Sequence, residues 1–157
     1  MIIAPLVLFV LVSVVLLSYL FSFLMFKDMG RGDWYMDIVN GYRLDRINRH
    51  QITLVLEQPD TASNSIVVDN FFVSYIGFNE RYIGLIGIPT ESRSASDEEI
   101  EHAQNKEYAN YYLIDTQSSK VMGPFESESE YLKQCDSCKT GTMGEWFSTY
   151  ELENYSG

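Results

Sequence analysis

Three patterns in the chain predict an α+β fold: an N-terminal transmembrane helix, then a small antiparallel-sheet domain with two short helices. Residues 1–26 carry no charged side chain. Several runs after residue 50 alternate apolar and polar residues with the period of strands. Two tetrads, Ser96-Asp97-Glu98-Glu99 and Ser127-Glu128-Ser129-Glu130, have the capping-box spacing that starts helices.

The run Ile2–Phe26 is interrupted only by Pro5, Ser13, Ser18, Tyr19 and Ser22. As a helix at about 1.5 Å per residue it extends roughly 37 Å, enough to span a hydrocarbon core of about 30 Å with some tilt. A cleaved signal peptide would have an apolar core of only ~7–15 residues, a basic start and a small-x-small cleavage site. Here no Lys or Arg precedes the run, which ends in Phe23-Leu24-Met25-Phe26, and the first cysteine is Cys135. Residues 1–26 are therefore expected to be an uncleaved single-pass anchor, with the lipid bilayer as the first partner. Residues 27–40 follow as a juxtamembrane linker, in which Trp34 and Tyr35 suit the interfacial aromatic belt. Orientation is contested. Lys27, Arg31, Arg43, Arg46 and Arg49 all follow the run, which by the positive-inside rule puts the domain in the cytoplasm. The cysteine usage described below suits an oxidising compartment instead.

The soluble domain is expected over 41–138, a length that supports one core. Its charge is uneven, with six basic and eight acidic residues from Lys27 to Thr90 but five basic and fourteen acidic from Glu91 onward. Strands are expected at Ile52–Leu56, from Ile66-Val67-Val68 into Phe71–Ile76, and at Tyr82–Ile88, the last two joined by a hairpin loop over Gly77–Arg81. The runs are mixed rather than continuously apolar, so one sheet face is expected to be buried. Ser96 then opens a surface helix carrying Ile100 and Ala103 towards Glu107. Tyr111–Asp115 returns as strand, turns at Thr116–Lys120, and pairs back through Val121-Met122-Gly123. Pro124 is expected to end that pairing, having no N–H to give. Ser127 starts a second helix over 128–134, and the tail 139–157 has no readable conformation.

The order of pieces resembles a group of short uncharacterised bacterial proteins, membrane-tethered or lipoprotein-like, with a small β-rich domain. The matching stretches are Gly41-Tyr42-Arg43-Leu44, Ile66-Val67-Val68, Tyr82-Ile83-Gly84, Tyr111–Thr116, and Gly123-Pro124-Phe125 followed by an acidic helix, together covering roughly residues 41–134. The resemblance implies a bacterial inner-membrane location with the domain on the extracytoplasmic side, the Lys/Arg count leaving the cytoplasm as the alternative. It implies no activity and no catalytic residues.

Cys135-Asp136-Ser137-Cys138 is the sharpest chemical motif. A C-x-x-C pair supports thiol exchange when it sits at a helix start; here it follows the expected 128–134 helix, where the dipole disfavours thiolate. A closed zinc site needs four ligands, and only His50 and His102 remain as nitrogen donors, without paired spacing. A local disulfide between Cys135 and Cys138 is the leading expectation, with reduced thiols, redox function and metal binding as alternatives. Glu98 and His102 lie four apart on a helix, as an exposed ion pair also would. No G-x-S-x-G, phosphate-binding loop or H-E-x-x-H occurs, so neither catalytic residues, nor a metal site, nor a cofactor is expected.

With a formal charge of −11 over 157 residues, the acid surplus excludes nucleic acid as a partner, and the length excludes a multidomain enzyme. Eleven Tyr, nine Phe and two Trp exceed the needs of so small a core, and Tyr and Trp are enriched at binding surfaces. The expected function is a membrane-anchored, non-enzymatic binding or accessory protein, of immunity or envelope type. Its acidic, aromatic face would engage a basic partner protein through Glu98, Glu99, Glu101, Tyr108, Tyr111, Tyr131 and Trp146. The alternative is a membrane-tethered thiol-disulfide protein using Cys135 and Cys138.

Overall fold

The computed structural model describes residues 34–57 and 64–152. The expected anchor over 1–26 lies outside them, and among the described residues no helix is long and apolar enough to cross a membrane. The described residues form two antiparallel sheets and two helices. β1 (Trp34–Asp37), β2 (Tyr42–Asn48), β3 (Gln51–Leu56) and β4 (Ser65–Ile66) make the first sheet in that order. The second contains β5 (Phe71–Phe78), β6 (Tyr82–Pro89), β7 (Asn110–Asp115), β8 (Lys120–Phe125) and β9 (Trp146–Ser148), ordered β8-β7-β6-β5-β9. Helix α1 (Asp97–Gln104) joins β6 to β7, and α2 (Glu128–Cys138) follows β8.

The first hairpin is set by Asn40 and Gly41, with φ of 53° and 80°, while Tyr42 N–H donates to the Val39 carbonyl at 3.0 Å. Two left-handed central residues make the turn whose twist matches that of antiparallel strands. It places Trp34 and Met36 of β1 beside Arg46 and Leu44 of β2, and Leu44 beside Leu54 of β3. From the second sheet Ile76, Ile83, Leu85 and Ile114 join Tyr42, Leu44, Ile52 and Leu54 in one buried cluster. Ala103 of α1 completes it, with Ile100 packed at its margin.

The second sheet is buried on both faces, contrary to the expectation of a single buried face. Across its five strands the register aligns Trp146, Gly77, Gly84, Leu113 and Met122 on one face. Neighbouring residues Phe147, Ile76, Leu85 and Tyr112 point to the other, towards the first cluster. Gly77 and Gly84 look polar in a hydropathy pattern, yet they are the floor on which aromatic rings lie. A Cβ on Gly77 would come within 2.8 Å of the Trp146 ring, and one on Gly84 within 2.4 Å of the Tyr131 hydroxyl and 2.7 Å of Trp146. Tyr82, Leu113, Tyr131, Cys135 and Met143 thus form a second buried cluster beneath α2 and the segment that follows it.

Several boundaries move. The expected 27–40 linker contains β1, and the tail unread from 139 onward supplies β9, so the folded unit is longer at both ends than 41–138. Thr149, fully buried, fastens that tail: its hydroxyl donates to the Val73 and Ser74 carbonyls at 2.9 and 3.0 Å, at the irregularity between Val73 and Tyr75 of β5. Pro124 does not end pairing. β8 runs on to Phe125 opposite Tyr111, because β8 is an edge strand where a missing N–H is tolerated. The Gly123–Pro124 bond is cis. Helix α2 continues to Cys138, four residues beyond the expected end, and closes on Lys139 in the left-handed conformation at φ 52°.

A methyl group at Gly84 meets two rings that the second cluster holds in place. Gly84→Ala is expected to lower stability by about 1–3 kcal/mol, the usual cost of overpacking. Urea unfolding of the full chain measures this, and an unshifted midpoint would remove the close approach.

Candidate functional site

The first candidate is the acidic helix. Ser96 caps α1 by accepting from Glu99 N–H at 3.2 Å, and the Glu99 carboxylate accepts from Ser96 N–H at 2.6 Å. The Ser96 backbone bond holds the Glu99 carboxyl below the usual range, and the capping box commits this side chain to the helix end. Glu98 and Glu101 are exposed. Arg49 reaches from the β2–β3 turn to pair with Asp97. His102 Nδ1 lies 2.7 Å from Glu107 and its Nε2 3.9 Å from Glu98; the Glu107 bond chiefly raises its pKa. Tyr108, 80% exposed, meets His102 edge-on with ring centroids 5.4 Å apart.

Of the remaining aromatics expected on that face, Tyr131 and Trp146 lie under α2, and Tyr111 lies between them and Tyr108. Tyr131 is 3% exposed, with Tyr111 and Trp146 packed against it at centroid distances of 5.8 and 6.2 Å. These three belong to the second cluster, under α2, whereas α1 is tied by Ala103 and Ile100 to the first. The expected acidic-aromatic surface therefore divides: Tyr131 and Trp146 cover the second cluster beneath α2, while the half-buried Tyr111 also lines a cavity of about 400 Å3 together with the exposed Tyr108 and with Glu126. Composition alone could not separate them. The signal lay in the glycines of β5 and β6, which require large side chains from elsewhere to cover them.

The second candidate is the C-terminal end of α2. Cys135 and Cys138 are free. Both stand in the last turn of α2, a helix where a loop was expected. The helix end is anchored by the Tyr82 hydroxyl, which donates to the Cys138 carbonyl at 3.3 Å, and by Thr140 N–H donating to the Cys135 carbonyl at 3.1 Å. Asn79 Nδ2 holds the next segment through the carbonyls of Thr140 and Thr142 at 3.1 and 3.2 Å. Between helix and segment is a cavity of about 500 Å3, lined in part by Tyr131, Cys135, Asp136, Lys139, Met143 and Trp146. The Tyr131 hydroxyl is buried without a hydrogen-bond partner of good geometry, the Cys135 thiol lying beside it. Burial pushes its phenol well above the usual range. On the other side of the helix Cys138 Sγ lies 3.8 Å from Met122 Sδ, and Gln134 Nε2 donates to both sulfurs, at 3.1 and 3.5 Å. Neither Met122 nor Gln134 is singled out by a search for motif spacing.

Arg81 and Asp115 fix the nearby strand ends through two contacts, at 2.7 and 3.2 Å. The guanidinium holds the Asp115 carboxyl down at about 2. Among the described residues no group of three or more His, Cys, Asp or Glu gathers as a metal site.

Residues 39–141 match the family model described as "Protein of unknown function (DUF3997)", and the chain belongs to that family. No curated protein and no solved structure matches the chain. The family bears out an uncharacterised small domain over the region of the resemblance, and nothing positive in these findings indicates enzymatic activity.

If Tyr131 is a core residue, its ring matters and its hydroxyl does not. Tyr131→Ala is expected to cost about 3–5 kcal/mol, the range for a buried aromatic. Tyr131→Phe should stay within about 1 kcal/mol of wild type or exceed it, because it removes an unpaired buried hydroxyl. Paired denaturation curves separate the two, and a large loss in Tyr131→Phe would assign the hydroxyl a partner.

Proposed function

We propose that this member of the DUF3997 family is a single-pass membrane-anchored, non-enzymatic binding or accessory protein, of immunity or envelope type, that engages a basic partner through α1. The apolar run 2–26 supports the anchor, being long enough for the hydrocarbon core. The observation that carries the binding reading is the exposure of Glu98, Glu101 and Tyr108 together, while Tyr131 is buried and Tyr111 and Trp146 are half-buried against it. An exposed tyrosine beside carboxylates supplies rigid contact area and charge steering in one patch. The extracytoplasmic side is the favoured location, since the resemblance includes exported members.

The thiol-exchange alternative has less support. Cys135 and Cys138 occupy the last turn of α2, at the carbonyl end of the helix dipole. Helices that activate a thiol for exchange present it at the opposite end.

A photo-crosslinking residue in place of Tyr108, introduced into the full chain in living cells, tests the binding reading. A discrete adduct is expected. Its yield should fall roughly fivefold or more in Glu98→Lys/Glu101→Lys, which removes two exposed ion pairs worth up to ~1 kcal/mol each. An adduct indifferent to both charge reversals would overturn the acidic-face reading.

A further inference from the structure

The cavity of about 400 Å3 shared by Tyr108 and Tyr111 lies at one end of the second sheet. Tyr111 of β7 pairs in register with Phe125 of β8, so the connection that enters β7 runs beside the one that leaves β8. The first brings Lys106 and Tyr108 to the cavity, and the second brings Glu126 and Ser127. Tyr108 has a left-handed backbone, with φ of 55°, and its ring is 80% exposed. A bulky side chain rarely takes that conformation, and here burial does not offset it. His102 packs T-shaped against the ring, which holds it in place beside the cavity. Tyr111 is half-buried; burial raises its phenol pKa, and the nearby Glu128 carboxylate adds to the rise.

The charge around these rings is negative. Arg43, Arg49, Arg81 and Arg93 pair with carboxylates elsewhere, so Glu126 and Glu128 stand outside the ion pairs of the described residues. Glu128 opens the first turn of α2, where an acidic side chain complements the helix dipole. Glu126 precedes the Ser127 cap, so that explanation does not cover it. Lys106 turns its ammonium away to the Tyr75 ring, 4.5 Å from the centroid.

We propose that this cavity receives an arginine side chain of the basic partner, its guanidinium against the Tyr108 and Tyr111 rings and its charge facing Glu126. The proposal rests on the binding reading and names the partner group that enters. A guanidinium is planar and weakly hydrated, so it stacks on aromatic faces and still presents N–H groups to a carboxylate. The ammonium of lysine is more strongly hydrated and has no flat face to stack. An anion at the start of α2 is opposed by Glu126 and Glu128 on either side of Ser127 in sequence. The Ser127 hydroxyl is also engaged, accepting from Glu130 N–H at 3.3 Å.

The test uses the full chain in detergent micelles with isotope-labelled tyrosine, followed by NMR. The probe is N-acetyl-arginine amide, whose only charge is the guanidinium, and the neutral control is N-acetyl-citrulline amide. The Tyr108 and Tyr111 ring signals are expected to shift together along one saturable curve with arginine and to stay in place with citrulline. Glu126→Gln should weaken the arginine probe roughly threefold. Tyr108→Ala, at an exposed position, should weaken it by a similar factor, whereas Tyr108→Phe keeps the ring face and the affinity. Glu98→Lys/Glu101→Lys should change the probe's affinity by less than about twofold at physiological salt, since neither residue lines the cavity. The proposal is overturned if neither ring signal moves, if citrulline acts as well as arginine, if Glu126→Gln is without effect, or if inorganic phosphate shifts the same signals instead. Any of these results beside a charge-sensitive Tyr108 adduct in cells would remove the arginine pocket and leave the acidic face of α1 standing.

Discussion

Gly77 and Gly84 face each other across β5 and β6, and the Trp146 ring lies over both. With side chains at either position the indole could not approach, and β9 would lose the contact that accompanies its pairing with β5. Trp146 and Tyr131 in turn meet edge to face at an interplanar angle of 72°, and the ring from the tail and the ring from α2 share one floor. Removing water from these ring faces is the main driving term, since each aromatic side chain buries on the order of 150–250 Å2. The two-faced burial of the second sheet, the position of α2 and the docking of residues 139–152 therefore depend on one pair of glycines.

That constraint also sorts the functional residues. The ring faces held against the glycine floor are covered, which leaves Tyr108 with Glu98 and Glu101 as the fully exposed combination among the expected partner-binding residues. The same packing sets α2 over β7 and β8, bringing Cys138 to Met122 although sixteen residues separate them in sequence. The acidic helix and the Cys138–Met122 contact sit on different hydrophobic clusters, so each can change without dismantling the other.

Legibility followed the strength of local patterns. The strands at Gln51–Leu56, Phe71–Phe78, Tyr82–Pro89 and Asn110–Asp115 and both helix starts were readable because alternation and Ser caps are local signals, whereas the break after Ile66 that gives Ser65–Ile66 to the other sheet was not. β2 was hidden by its charges: Arg43 and Asp45 face outward as a pair, while Arg46 lies buried on the inner side between Trp34 and Ile52 in register. The Asn40-Gly41 dipeptide, a strong hairpin signal, would have exposed both β1 and β2. β9 is three residues long, too short for periodicity, and it pairs with a strand about seventy residues earlier. In the candidate site the acidic helix was legible from its cap. The fate of Tyr131 and Trp146 was not, because glycine reads as a break in a strand rather than as space reserved for a ring.

Native-state hydrogen exchange tests the glycine-floor account most directly. If Trp146 couples the tail to α2, the amides of Tyr131–Cys138 and of Phe147–Ser148 open as one unit with a common free energy. Replacing Trp146 with Ala should lower protection in both segments together, while β2 and β3, which belong to the other cluster, retain a higher opening free energy. Undiminished protection of α2 after the loss of Trp146 would contradict the account, leaving the helix and the tail as independent additions to the sheet.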